Sequence, residues 1–345
     1  MSVTVLLPAH NEQEQIAATI ESLLAQTSPP ERIVVIVNNT TDATAEVAAR
    51  YPVHVEVLMD CPGRKAQAMN HGWSLGVATD YVLTMDSDTI LATDAIEAMV
   101  ASLDGDHGLG AVTVRYWALP PQKPSLVARL QRLEYARFDD IRGIRGWKVQ
   151  VASGAAAMYR TEALNALMAS EHAHGSPWDE TSLIEDYALT LDLKALGYRV
   201  AAAPGAHALT DTPTTLADLW TQRLRWGRGG VDEVRRRGWT PATRRDIAAY
   251  GIYGFSLLMR ATFLVWLVLM LLVMHLPYRF GLLGLIPLLL VWMDRWGSIA
   301  SLPNPTLRDR LLVGIVLVED VYGLFLESVT AVSICRSYAA RAQGW

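Results

Sequence analysis

Residues 81–88 read YVLTMDSD, a β-forming and mostly apolar run that stops at two aspartates one residue apart. Charge left at the end of a buried strand needs a partner. Three similar runs precede it: VTVLLP (3–8), RIVVIV (32–37) and VHVEVL (53–58). Between them EQEQIAATIESLLAQ (12–26), DATAEVAAR (42–50) and RKAQAMNHGWSLG (64–76) carry apolar residues at helical spacing, with Thr41 or Asp42 able to cap the second helix. This alternation predicts an α/β fold, a mostly parallel sheet covered by helices on both faces. Ligands of such sheets bind at the carboxyl ends of the strands. His10-Asn11-Glu12, Asn38-Asn39 and Asp86-Ser87-Asp88 all fall there.

The chain of 345 residues has room for one large domain or two smaller ones, and its net charge of −5 singles out no partner, nucleic acid included. Composition changes along it. Residues 1–245 are mixed, whereas 247–335 are dominated by Leu, Val, Ile and Met, with a wholly apolar run at Ala261–Met274. With its flanks this run reaches the ~20 residues a bilayer needs. We expect membrane spans near 249–275, 281–302 and 311–335 in a domain covering 231–345. Asp294-Arg295, Glu319, Asp320 and Glu327 interrupt the later two, and acids at such depth should face protein or water. Three spans would put Arg336 and Arg341 outside. No secretory signal is visible at Met1, so the front domain (1–230) is expected on the cytosolic side of a cell membrane, the protein being multi-pass. Eight arginines between Arg223 and Arg245 suit anionic headgroups. The stretch 124–143 is amphipathic and fits either a surface helix or one lying in the membrane interface, as does 215–230. Cys61 and Cys335 lie far apart and imply no disulfide framework. His172 and His174 sit in a Gly/Ser-rich loop without metal-ligand spacing.

On extended backbone Asp86 and Asp88 point to one side. A hard cation, Mg²⁺ or Mn²⁺, held by carboxylates and substrate phosphates would neutralise them; solvated turn aspartates fit equally. No G-x-x-x-x-G-K-[ST] loop is present. Glu185-Asp186 open a helical pattern, where the helix dipole favours acids whatever their chemistry.

Seven segments in order resemble the family 2 glycosyltransferases of GT-A fold, in particular their membrane-embedded branch of cellulose, chitin and hyaluronan synthases. They are LLPAHNE (6–12), VNNTTDAT (37–44), RKAQAMNHG (64–72), MDSD (85–88), SGAAAMYR (153–160), IEDYALTLDLKALGYRV (184–200) and QRLRW (222–226). The resemblance implies a nucleotide-sugar-binding domain followed by a helical transmembrane domain. Pro8, Ala9 and Glu12 would line the base and ribose end of a UDP-sugar site. Asn39 stands where the family usually has an aspartate reaching the base. Lys65 would meet the diphosphate, Asp86 the ribose or metal, and Asp88 the metal. Asp186 would be the general base, with Glu185 and Gly154 beside it on the acceptor side. Gln222 and Arg225 would serve the pyrophosphate, and Trp226 would offer a flat platform to the acceptor sugar.

The resemblance thus implies an inverting transfer from a UDP-sugar to a saccharide or lipid-linked acceptor. One carboxylate takes the acceptor proton, and the leaving diphosphate needs none. A β-linked polysaccharide is the expected product. A single addition to a lipid or polyprenyl phosphate is the alternative within enzymes, and a catalytically silent membrane scaffold the alternative outside them; in each case the membrane domain could join copies of the chain into a homo-oligomer.

Overall fold

The computed structural model describes residues 1–121, 124–172, 175–273 and 285–339. β1 (Val3–Ala9), α1 (Ile16–Leu24), β2 (Arg32–Asn38), α2 (Thr44–Ala48), β3 (His54–Leu58), α3 (Arg64–Ser74) and β4 (Tyr81–Met85) alternate as expected. There follow β5 (Thr89–Leu91), α4 (Ala95–Asp104), β6 (Leu109–Ala118), α5 (Leu126–Ile144), β7 (Ala156–Arg160), α6 (Thr161–Met168), α7 (Glu185–Ala195) and β8 (Arg199–Thr210). The remainder is helical: α8 (Leu216–Arg237), α9 (Arg244–Val268, prolonged by a π turn over Leu269–Val273), α10 (Leu285–Ser298), α11 (Leu307–Gly314) and α12 (Val316–Tyr338).

The strands form one sheet in the order β3-β2-β1-β4-β7-β6-β8-β5. β1 to β4 are mutually parallel, as are β6 and β8, while β7 and the short β5 run against their neighbours. Alternate side chains explain the near-continuous apolar strands. Val3, Val5 and Leu7 face a core shared with Ile16 and Ile20 of α1 and Met99 of α4, whereas Leu6, Val34 and Ile36 face one built with Met69 of α3 and Leu189 of α7. Each such side chain, wholly buried, contributes roughly 1.5–3 kcal/mol. From β1 the chain steps outward through β2 and β3, then returns to place β4 on the other side of β1. That reversal opens a crevice at the carboxyl ends of β1 and β4.

A third core joins the later helices to the sheet. Trp117 of β6, Leu130 and Leu133 of α5, Leu219 of α8, Val313 of α11 and Tyr322 of α12 pack together. The apolar face of α5 is therefore covered by protein at Leu130 and Leu133, with Leu126 and Phe138 left exposed.

The C-terminal segments differ from expectation. Among the described residues one helix, Arg244–Val273, is long and apolar enough to cross a bilayer, by length and composition. Its 30 residues extend for about 45 Å at 1.5 Å per residue. Its most apolar window has mean hydropathy 2.3 and no protein cover. The stretch expected at 281–302 begins outside the described residues, as do Met274, His275, His174 and Arg341. The stretch expected at 311–335 is broken at Ile315 between α11 and α12. α12 buries Val329 and Ser333, and Ser333 Oγ donates to the Leu224 carbonyl of α8 (3.4 Å). Three of the four acids of this region are paired, while Asp294 is exposed. Glu319 pairs with Arg137 (2.5 Å) and Arg295 (3.6 Å), Asp320 with Arg295 (2.5 Å), and Glu327 with Arg260 (2.5 Å).

The arginine cluster is likewise used internally more than its sequence suggests. Arg223 pairs with Glu134, Arg228 with Asp232, Arg236 with Asp179, and Arg237 with Asp192. Arg235 binds Ser337 and lies over the Tyr338 ring at 4.2 Å. Arg225, Arg244 and Arg245 make no side-chain hydrogen bond or ion pair among the described residues. Apolar and basic composition alone does not distinguish a helix facing lipid from one whose partners lie a hundred residues away.

Candidate active site

The crevice gathers residues from four parts of the chain. Lys65, in the first turn of α3, extends its ammonium to Asp86 Oδ1 (2.5 Å) and Glu185 Oε1 (3.2 Å). Burial alone would lower the lysine pKa; Asp86, then Glu185 and Asp186, reverse this and hold it raised. Gly154 sits in the midst of these groups. A Cβ there would lie 2.7 Å from Lys65 Nζ, 3.5 Å from Asp186 Oδ2 and 3.7 Å from Asp86 Oδ2. The absence of a side chain is what lets the lysine and both aspartates converge.

Asp186 lies in the first turn of α7, and its two oxygens have separate duties. Oδ1 accepts the Tyr187 amide (2.7 Å), which is the capping role that its position suggests. Oδ2 accepts the Gly154 amide (2.9 Å) and turns toward the crevice. Burial, then the neighbouring charge of Glu185, pushes Asp186 up to about 6, against the pull of Lys65 and the two amides. A carboxylate at that value can accept a proton near neutrality.

Asp86 and Asp88 do not stand on extended backbone. The Thr89 amide donates to the Asp86 carbonyl (3.2 Å), so the pair sits on a tight turn between β4 and β5. They nonetheless share one electrostatic site. Burial, then Asp86, Glu12 and Asp211, pushes Asp88 up to about 7. Glu12 is likewise raised to about 7 by burial, Asp86, Asp211 and Asp42. Asp211 was not anticipated, although its signal matches that of Asp86: an apolar strand, ALT, runs straight into it. Gln15 Nε2 holds its carboxylate (3.1 Å), and its amide donates to the Asp88 carbonyl (3.3 Å).

This acid cluster fits a hard divalent cation. Its donors are carboxylate oxygens, and their mutual repulsion is relieved only by protons or a cation. Among the described residues no group of three or more His, Cys, Asp or Glu is placed to hold a metal unaided. Mg²⁺ commonly binds through one or two carboxylates and completes its shell with phosphate oxygens and water.

The remaining positions divide by what their side chains can reach. Pro8 and Ala9 are buried in β1, paired with Ile36 and Val37 of β2, and shape the crevice floor through backbone. Asn39 adopts φ 50°, which asparagine tolerates. Its Nδ2 donates to the Cys61 carbonyl (2.9 Å) while its Oδ1 accepts the Cys61 amide (3.1 Å). An ionised aspartate could make only the second bond, so asparagine here stitches two loops together rather than standing free for a base. Asn70 makes a similar reciprocal pair with the Trp178 backbone (2.8 and 3.1 Å) and holds the loop before α7.

α8, which carries Gln222, Arg225 and Trp226, packs on the loop before α7. Its glycines permit close packing: a Cβ at Gly229 would stand 2.8 Å from Ile184, which immediately precedes Glu185-Asp186. Tyr135 of α5 lies beneath the Arg223 guanidinium at 5.7 Å and within the field of Asp88. Arg225 is half-buried with its guanidinium unpaired among the described residues. Trp226 is 37 % exposed. Gln222 Oε1 is buried without a hydrogen-bond partner among the described residues.

Comparison with known proteins agrees with this arrangement. Residues 2–229 match the family described as glycosyltransferase like family 2. The chain belongs to that family. It is 30 % identical over 248 residues to the poly-beta-1,6-N-acetyl-D-glucosamine synthase of Staphylococcus aureus strain COL, covering 68 % of this chain and 56 % of that one. The Staphylococcus epidermidis synthase is 26 % identical over 262 residues, covering 72 % and 59 %. The chain thus spans somewhat over half the length of these curated relatives. In structure it is similar to mannosyltransferase PcManGT from Pyrobaculum calidifontis in complex with GDP-Man and Mn²⁺, with a TM-score of 0.59. That likeness covers 99 % of this chain and 88 % of that one at 15 % identity, and so speaks for the fold alone. The α/β sheet with its crevice is the GT-A fold implied by the motifs.

Proposed function

We propose that this family 2 glycosyltransferase moves a sugar from a UDP-sugar to a saccharide acceptor with inversion, building a β-linked polysaccharide at a membrane. The observation that carries the reading is the convergence at Gly154 of a cation, Lys65, a strand-end acid, Asp86, and a second carboxylate of raised pKa, Asp186. These are the three charges that a displacement at an anomeric carbon needs.

In this reading Lys65 and Arg225 bind the diphosphate, with Glu12 and the backbone of Pro8 and Ala9 toward ribose and base. Gln222 lies beside Arg225. Asp86 and Asp88 would hold Mg²⁺ or Mn²⁺, which when bound neutralises the departing diphosphate. Asp186 takes the proton from the acceptor hydroxyl as its oxygen attacks the anomeric carbon. The bond from that carbon to the diphosphate oxygen breaks, and UDP leaves with the electron pair. Attack opposite the leaving group turns an α-linked donor into a β-linked product. Trp226 supports the acceptor ring, because a pyranose presents C–H groups to an aromatic face. Residues 1–230 form the cytosolic catalytic part and 231–345 the membrane part, its support being helix Arg244–Val273, whose most apolar window has no protein cover.

The synthase relatives favour polymer over single addition. One feature favours a lipid-linked acceptor instead: Asp246, in the first turn of the uncovered helix, accepts the hydroxyl of Tyr187 (2.6 Å), the residue after the proposed base. Purified protein supplied with a panel of UDP-sugars and Mn²⁺, with UDP release and product mass measured, separates the readings. Long products support polymer synthesis, one added sugar on a lipid replaces it, and no release with any donor overturns transfer altogether.

A further inference from the structure

Arg223 lies in QRLRW beside the proposed donor and acceptor residues, yet its partners are neither. Its guanidinium pairs with Glu134 Oε2 of α5 at 3.1 Å, and that same oxygen accepts the Tyr322 hydroxyl of α12 at 2.5 Å. The guanidinium also lies 4.7 Å from the centroid of the Trp226 ring and 5.7 Å from that of Tyr135. The side chains of Arg223 and Glu134 are 13 % and 12 % exposed. A pair so far out of water adds little net stability against an apolar substitute, so its use lies in the geometry that it imposes. The neighbouring packing points the same way. A Cβ at Gly227 would lie 2.6 Å from Ser333 Oγ, so α12 is seated against the residue that follows Trp226.

We propose that Glu134, Arg223 and Tyr322 are positioning residues that hold the indole plane of Trp226, so that docking of α12 on α8 sets the affinity for acceptor. The guanidinium lies over the ring, and the residue keeps 37 % of its surface exposed for a sugar to meet. A planar cation over an indole is a directional contact, and the shared carboxylate oxygen fixes where that cation lies. This rests on the reading of Trp226 as the acceptor platform.

The test uses the full chain in detergent, labelled with 5-fluorotryptophan, with the Trp226 fluorine line assigned through Trp226→Phe. Tyr322→Phe removes one hydroxyl and Glu134→Gln one charge, both with little change of shape. In both variants the Trp226 line should move and broaden while most other tryptophan lines stay. Acceptor KM should rise about tenfold for Glu134→Gln, the worth of one charge-assisted hydrogen bond, while UDP release from donor alone holds. A Trp226 line unmoved in both variants overturns the clamp, whatever the turnover. So does a parallel fall of donor-only release and transfer, which marks general damage to the fold. A wild type that releases no UDP from any donor instead overturns the glycosyltransferase reading, and the fluorine line still decides the clamp.

Discussion

Replacing Gly154 by alanine tests the convergence that carries the functional reading. The new methyl would stand 2.7 Å from Lys65 Nζ, which must retreat by about 0.7 Å to reach ordinary contact at 3.4 Å. A lysine end is normally free to do so, but this one is held by Asp86 at 2.5 Å and Glu185 at 3.2 Å. Both bonds cannot survive the move. Losing one charge-assisted hydrogen bond costs about 1.5–3 kcal/mol, a factor of roughly 10–150 in affinity for a diphosphate that Lys65 binds. The backbone itself is not strained by the change, because Gly154 is absent from the positive-φ positions, but the lost bond is also lost to the fold. Steady-state kinetics with varied UDP-sugar, beside a thermal unfolding scan, provide the assay. Donor KM should climb by that factor, and the unfolding midpoint should fall by a few degrees, because the same bond is lost from the unliganded fold. Donor KM and kcat both within twofold of wild type would refute the reasoning, because the lysine would then be a structural cation and not the diphosphate's partner.

Three further outcomes follow from the same geometry. Turnover should fall as pH drops through about 6, since Asp186 acts as a base only when ionised, and Glu185→Gln should shift that limb downward by removing the second cause of the raised value; a limb at the ordinary 3.8 would count against Asp186. Asp88→Asn should cost about a hundredfold or more in turnover and abolish the response to added Mn²⁺, without lowering the unfolding midpoint, because it relieves repulsion among Asp86, Glu12 and Asp211; turnover retained in chelator would dismiss the metal. Gly227→Ala should destabilise, since overpacking at the buried Ser333 costs about 1–3 kcal/mol against about 1 kcal/mol gained in helix propensity, and Ser333→Ala should recover part of the loss by removing the closer contact.

Local pattern carried the sheet and the helices over it. Strands such as Val3–Ala9 and Arg32–Asn38 are buried on both faces, so their apolar runs are continuous and hard to mistake. Candidate site residues stand out where a motif ends a strand or opens a helix, as at Asp86 and Asp186. Partnership across distance was not legible. Nothing near Asn39 reveals that its amide is committed to Cys61. Nothing near Arg223 or Arg237 reveals Glu134 or Asp192, so a clustered basic stretch reads as a lipid-facing surface when much of it faces protein. The apolar stretch at 311–335 likewise conceals its partners: Glu319 pairs with Arg137 of α5 and Ser333 donates to α8, contacts that sequence alone does not supply.

The two ends of the proposed reaction are held by different kinds of structure, and this has a consequence for how they fail. Glu12, Lys65, Asp86 and Asp88 come from the first ninety residues, at or near strand ends whose register is fixed by a parallel ladder through β1. The acceptor side is assembled from helices. Asp186 shares its first turn with Tyr187, whose hydroxyl donates to Asp246 at the start of α9, and Gln150 donates to the other oxygen of Asp246 (3.1 Å). Trp226 sits under Arg223, which α5 and α12 hold in common. A disturbance of the C-terminal helices therefore reaches the base, the acceptor platform and, through α8, Arg225 at the diphosphate, while the strand-end part of the donor pocket keeps its supports in the sheet. Loosening the membrane segment should cost transfer more than donor binding, which keeps Lys65 but feels the loss through Arg225, whereas a fault in β1 or β4 should remove donor binding first.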